Sequence, residues 1–300
     1  MSAAKVKAKN LLVSFSGGRT SALLARLVQT SPLFAGYRKI FIYANTGKER
    51  QETLDFVHEC DTRWGLGVVW VEAVVHPEKG QGTKHRVVNY ETAIRNTDPE
   101  SPDHPFTAVI AKYGLPSNAF PHCTRELKLR PMASYLKSIG VTEYETALGI
   151  RADEPSRAGP NPGIIYPLVE LRIDEEAVRT FWDRQDFDLG LKDYQGNCDL
   201  CFKKSLRKRL TILRESPEVA GFWASKEGKR VDPRGRAVDL AFDRTGLRIS
   251  DLLTLSKDPA LELAVDRHDE RLADKAKNPQ LFEMLCGIDW DSSTDCLCHA

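Results

Sequence analysis

No stretch of the sequence approaches the ~18 consecutive apolar residues of a membrane span, so no membrane partner is expected. An excess of one charge is also missing. The chain has 43 Lys and Arg against 42 Asp and Glu, a net +1, which removes bulk charge as a means of gripping nucleic acid. Any nucleic-acid surface has to be local. The N-terminus has neither an apolar signal region nor a cleavage site, so the protein is expected in the cytoplasm. There is no internal repeat and no low-complexity tract. Neither G-x-x-x-x-G-K-[ST] nor G-x-G-x-x-G occurs, so the Walker A and dinucleotide loops are excluded as motifs. Cysteine is sparse and odd in number, seven in 300 residues. In a reducing compartment these read as metal ligands, reactive thiols or core residues rather than disulfides.

What is present begins at residues 11–24. Residues 11–15 form an apolar, β-rich run, Ser16, Gly17 and Gly18 make a polar turn, and Ser21 leads into a helix carrying Leu23, Leu24, Leu27 and Val28. A strand, a tight glycine turn and a helix N-terminus in succession suit an anion. The first helical turn has unpaired N–H groups, the helix dipole is positive there, and glycines admit a close approach. Ser16 and Ser21 add hydroxyls.

Residues 39–44 read as a second buried strand running into Asn45, Thr46, Gly47, Lys48 and Glu49, then a helix, and residues 67–73 as a third. Alternation at this spacing predicts an α/β fold, a parallel sheet with helices on both faces. Ligands in such sheets lie beyond the strands' C-terminal ends, which places residues 16–21 and 45–49 on one rim. Residues 76–122, rich in Pro and Gly, read as an irregular insertion on that rim. A helix over 131–139 and a strand over 144–150 follow, then Arg151 and Arg157. These two guanidiniums suit bidentate phosphate or sulfate recognition, or else form surface salt bridges with Asp153 and Glu154. Residues 164–169 suggest another short strand, and Asp174 caps a helix. A nucleotide-binding domain over 1–205 and a mainly helical extension over 206–300, with a basic loop at 226–236, are expected.

Cys198 and Cys201 form C-x-x-C before a helix, with Lys203 and Lys204 to stabilise thiolates. A metal centre, a redox dithiol and two core cysteines are all compatible with this spacing. Cys123 could add a third ligand, and the fourth position is open among His122, Cys286, Cys296, Cys298 and no protein ligand. Ligands from separate places suit an iron–sulfur cluster better than a zinc ribbon. Cys60 lies on an apolar helix face and reads as core.

Four segments, in order, resemble the phosphoadenosine phosphosulfate (PAPS) reductase-like branch of the PP-loop proteins. They are Ser16-Gly-Gly-Arg-Thr-Ser21, Ala44-Asn-Thr-Gly-Lys-Glu49, Cys123-Thr-Arg-Glu-Leu-Lys128 with Pro131, and Gly149-Ile-Arg-Ala-Asp-Glu154 with Arg157. The knuckle at 196–204 extends the likeness, which spans about residues 11–205. The resemblance implies a Rossmann-like sheet, ATP or another adenine nucleotide on the loop, sulfur chemistry and a [4Fe–4S] cluster on Cys123, Cys198 and Cys201. It admits a magnesium ion with the nucleotide, a nucleic-acid or small-molecule sulfur acceptor, and a homodimer. The nucleotide-binding residues it implies are Ser14, Ser16, Gly17, Gly18, Arg19, Thr20, Ser21, Asn45, Thr46, Gly47, Glu49, Lys128, Gly149, Arg151, Asp153 and Arg157. Leu285-Cys-Gly-Ile-Asp289 echoes the nucleophile segment of the reductases and nominates Cys286 as catalytic. An ATP-dependent sulfurtransferase is the first expectation and a sulfonucleotide reductase the second. A nucleotide sensor or nucleic-acid binder with a structural knuckle is the third, its footprint being Lys203, Lys204, Arg207, Lys208 and Arg209.

Overall fold

Strand β1 (Lys9–Phe15) sits inside a six-stranded sheet of order β4-β3-β2-β1-β5-β6. Its partners β2 (Tyr37–Asn45) and β5 (Glu145–Ala147) both run parallel to it. Beyond β2 lies β3 (Val69–Val75), also parallel, and beyond β5 lies β6 (Ile164–Ile165). Only β4 (Thr83–Val88) is antiparallel, forming an edge against β3. The computed structural model describes residues 9–266 apart from 79, 99–100, 102, 118–119, 197, 232–236 and 243–245.

Alternation along the strands explains why both faces are covered. Leu11, Val13 and Phe15 pack into one apolar cluster with Leu23 and Leu24 of α1 (Arg19–Thr30) and Phe56 of α2 (Gln51–Trp64). Leu12 and Ile42 point the other way, onto Met132 and Leu136. With a side-chain period of two, a strand rich in apolar residues feeds two cores at once. A third cluster joins α3 (Pro105–Tyr113) to Cys198 and Leu200. It continues beyond residue 205, through Leu210 and Leu213 to Leu252.

Sequence expectations and structure differ in several places. The insertion at 76–122 contains β4, whose sequence Thr-Lys-His-Arg-Val-Val alternates too weakly to stand out. A π-turn at Thr124–Leu129 precedes α4 (Arg130–Ser138). The strand expected over 144–150 is only three residues long. After β6, Pro167 starts a short helix, α5 (Pro167–Glu170), where the strand was expected to continue. Asp174 caps α6 (Glu175–Trp182) as expected, accepting from the Ala177 amide at 2.9 Å. The C-terminal region holds α7 (Leu206–Glu215), α8 (Ala220–Lys226) and α9 (Ile249–Ser256). It also contains a hairpin, β7 (Gly228–Val231) with β8 (Ala237–Leu240), in the stretch read as a basic loop. Among the described residues no helix is long and apolar enough to cross a membrane. Cys286, Cys296 and Cys298 lie outside the described residues.

Candidate functional site

From β1 the chain runs outward through β2 and β3 on one side of the sheet and then returns to the other side of β1 as β5 and β6. That reversal, between β1 and β5, is the place where doubly wound sheets open a crevice. The glycine loop lies there. Ser21 Oγ accepts from the Ser16 amide at 3.1 Å, the Ser16 hydroxyl at 2.9 Å and the Gly18 amide at 3.3 Å, and donates to the Gly18 carbonyl at 2.9 Å. One buried hydroxyl therefore ties both ends of the turn to the first turn of α1. Gly17 has φ +78°, and a Cβ on it would stand 2.6 Å from Thr53 Cγ2. Gly149, beyond β5, packs so closely that a Cβ would lie 3.2 Å from Ser21 Cα.

Around this loop the charged side chains are already paired. The Arg19 guanidinium donates to both Asp188 oxygens, at 2.7 and 2.5 Å, and to the Leu191 carbonyl at 3.1 Å. Arg151 grips Asp153 with two bonds of 2.9 Å and reaches Glu175 at 3.2 Å. These bonds raise the Arg151 pKa and lower that of Asp153. Arg157 pairs with Glu154 at 2.5 Å. Arg19, Thr20 and Arg151 line a cleft of about 420 Å³ that extends to Lys192, Gly196 and Lys208. Ser14 turns away from the loop, towards Met132 Sδ at 4.0 Å.

The second part of the rim follows β2. The Thr46 amide and hydroxyl donate to the buried Glu49 carboxylate, at 3.0 and 2.7 Å. The Cys198 thiol lies 3.6 Å from Thr46 Oγ1 and 3.9 Å from Glu49 Oε1. Lys128 Nζ stands 3.9 Å from the same carboxylate oxygen. Burial pushes the Cys198 thiol well above its usual range, and Glu49 adds to the rise while Lys128 opposes it. Cys123 is raised for the same first reason, with Cys201 adding to it. Burial works to lower Lys128, but Cys198, Glu49, Cys123 and Cys201 together hold it above the ordinary lysine value. The expected cysteines 123, 198 and 201 thus lie within electrostatic reach of one ammonium, although their elements are far apart in sequence.

Asn45 serves the framework. Its amide donates to Glu72 at 2.6 Å and to the Ile94 carbonyl at 2.9 Å, and its oxygen accepts from the Gly47 amide at 3.3 Å. Glu72, fully buried, also accepts from the Ile94 amide at 2.7 Å and from Arg86 at 2.6 Å. These bonds pin the rim insertion to the strand ends.

Lys48 and His104, which the sequence did not single out, are central to the rim. The Lys48 ammonium, 1% exposed, pairs with Asp199 at 2.9 Å, donates to Asn96 and lies 4.2 Å from the Phe222 ring centroid. Asp199 also accepts from Trp223 Nε1 at 2.9 Å, and its own amide donates to the Lys48 carbonyl at 3.0 Å. The Cys knuckle is therefore bolted to the turn after β2. His104 is completely buried with no hydrogen-bond partner on either ring nitrogen. Burial, with Lys48 adding, lowers its pKa to about 4. A lysine and a histidine beside Thr-Gly and Asp-His-Pro turns carry no signal of burial until the fold is known.

The donor chemistry suits a thiolate-ligated group, since three thiols share one cationic neighbour. Among the described residues, however, no three of His, Cys, Asp and Glu are already arranged to hold a metal ion. His122 packs against Tyr113, ring centroids 5.5 Å apart, with its Nε2 buried and unpartnered.

No protein-family model matches the chain, and no solved structure matches it. It is 38% identical over 199 residues to the uncharacterized nin region protein ORF290 of Escherichia phage lambda, covering 66% of this chain and 67% of that protein. The chain belongs to the family of that phage protein.

Proposed function

We propose that the protein is an adenine-nucleotide-dependent enzyme of sulfur chemistry with a PP-loop at residues 16–21. One juxtaposition carries the reading: a glycine loop at the sheet's reversal point lies on the same rim as the Cys198 thiol and Lys128, which both approach the Glu49 carboxylate, with Cys123 and Cys201 within electrostatic reach of that lysine. The loop amides and the α1 dipole hold phosphate, and Gly149 lets the segment after β5 pack directly against Ser21 at the start of that helix. ATP activates a substrate oxygen: that oxygen attacks the α-phosphorus and pyrophosphate leaves. A sulfur nucleophile then displaces the adenylate, and AMP leaves. Lys128 stabilises negative charge at the thiols, and the Thr46–Glu49 pair fixes Cys198 beside it. Cys123, Cys198 and Cys201 are the residues that would hold a [4Fe–4S] cluster, which supplies electrons and iron coordination for sulfur when bound.

Protein purified without oxygen from iron-replete cells should carry iron and an adenine nucleotide, read by metal analysis and mass spectrometry of released small molecules. Stoichiometric zinc with no iron and no adenylate species would leave the knuckle structural and overturn the reading.

A further inference from the structure

Three carboxylates approach the Arg151 guanidinium beyond β5. Asp153 Oδ1 and Oδ2 accept from Nε and Nη2 at 2.9 Å each, Glu175 Oε2 accepts from Nη2 at 3.2 Å, and Glu154 Oε1 stands 4.0 Å away. The fork that could clasp a phosphate or sulfate is thus filled by the protein's own acids. An arriving anion meets excess negative charge there rather than a free cation.

Glu175 differs from the other two acids. It comes from the first turn of α6, not from the loop that carries Arg151. Its other oxygen, Oε1, accepts from Arg179 Nη2 at 2.7 Å and Nε at 3.1 Å, and Arg179 Nη2 also reaches Asp193 at 2.6 Å. Glu175 therefore bridges two guanidiniums and needs only one. If Arg151 swings away, Glu175 keeps Arg179 and Glu154 keeps Arg157 at 2.5 Å. Asp153, its side chain 38% exposed, is taken up by water. Every bond on Arg151 can be given up without stranding a buried charge. Arg151, Glu175, Arg179 and Asp193 line the same cleft as Arg19 and Thr20 of the glycine loop, so a ligand seated on the loop faces this network.

We infer that Glu175 is a latch: it ties Arg151 to α6, and an anionic ligand in the cleft must displace it to claim the guanidinium. Glu175 thereby lowers the affinity of the cleft for anions and selects those charged enough to replace a carboxylate. The identity of the ligand rests on the nucleotide reading, whereas the latch is a property of the side-chain network itself.

The test is calorimetric titration of wild type, Glu175→Gln, Glu175→Asp and Asp193→Asn with ATP, adenylyl sulfate and inorganic pyrophosphate. Glu175→Gln should tighten anion binding about 3- to 10-fold, the size of one partly exposed ion pair. Glu175→Asp keeps the charge and shortens the arm, so it should give part of that gain. Asp193→Asn removes the same charge from the same cleft without freeing Arg151 and should give a clearly smaller gain. Combined with Arg151→Met, the gain from Glu175→Gln should vanish, because the contested guanidinium is gone. Equal gains for Glu175→Gln and Asp193→Asn, a gain that survives Arg151→Met, or no gain at all would overturn the latch. Should Glu175→Gln fail to fold, Glu175→Asp carries the same comparison. Pyrophosphate separates the latch from the nucleotide reading. If wild type ignores both nucleotides while Glu175→Gln gains pyrophosphate binding through Arg151, the latch stands and the nucleotide reading fails. If wild type binds ATP and Glu175→Gln gains nothing, the nucleotide reading stands and the latch fails. If no variant binds any of the three, both fall.

Discussion

The glycine loop and the thiol pocket share one rim but are built in opposite ways. The loop is local: Ser16, Gly18 and Ser21 satisfy one another within six residues, and the helix that follows supplies the positive end. The pocket is assembled from afar, with Thr46 and Glu49 after β2, Lys128 in a π-turn and Cys198 beyond α6. A backbone-built site needs little more than correct φ and ψ. A side-chain constellation needs the whole topology and, here, a buried ion pair to hold its distant piece in place.

Breaking that ion pair should therefore separate the two regions. Lys48→Met leaves Asp199 buried without its cation and should cost about 3–5 kcal/mol of stability in chemical denaturation. The double variant Lys48→Met, Asp199→Leu should recover part of the loss. Cost equal to that of an exposed lysine would mean that the pair does not hold the knuckle.

His104 tests the same region by pH. Its folded pKa, about 4, lies below the ordinary value of 6.5, so the unfolded chain binds the extra proton first as pH falls. Stability is full above about pH 6.5 and declines towards pH 4. The decline is on the order of 3 kcal/mol, and Lys48 and Lys226 near the ring act in the same direction. His104→Phe should flatten the pH dependence of melting in that window, and an unchanged slope would place its origin elsewhere.

The loop's counterpart is smaller. Gly17→Ala forces a left-handed residue and a clash with Thr53 and should cost about 2 kcal/mol. An Ala variant as stable as wild type would show that the turn tolerates side chains.

These contrasts also explain what the sequence revealed. The β1–loop–α1 junction, the parallel order and Asp174 as a cap were readable because each depends on neighbours along the chain. Cys198 and Cys201 were readable as a pair, but the closeness of Cys198 to Glu49 was not deducible without the fold. β4 escaped notice because an edge strand needs only half a pattern, and the hairpin at β7 and β8 lay in a stretch whose charge suggested a loop. Asn45 was expected to touch nucleotide, whereas its amide is spent on Glu72 and Ile94. Lys48 was hidden by being an ordinary-looking cation beside a turn. Burial, which the sequence does not display, is what distinguishes it.

Gly18→Ala offers the most direct measurement. Gly18 has φ −105°, and a Cβ there would meet nothing nearer than Ser16 Oγ at 3.9 Å, so the variant should fold and melt like wild type. The methyl would stand where a phosphate must approach the loop amides. Calorimetric titration with ATP should give saturable binding to wild type and at least about tenfold weaker binding to Gly18→Ala. Equal binding by the two proteins, or no binding by wild type to ATP, AMP or adenylyl sulfate, would contradict a nucleotide site at residues 16–21.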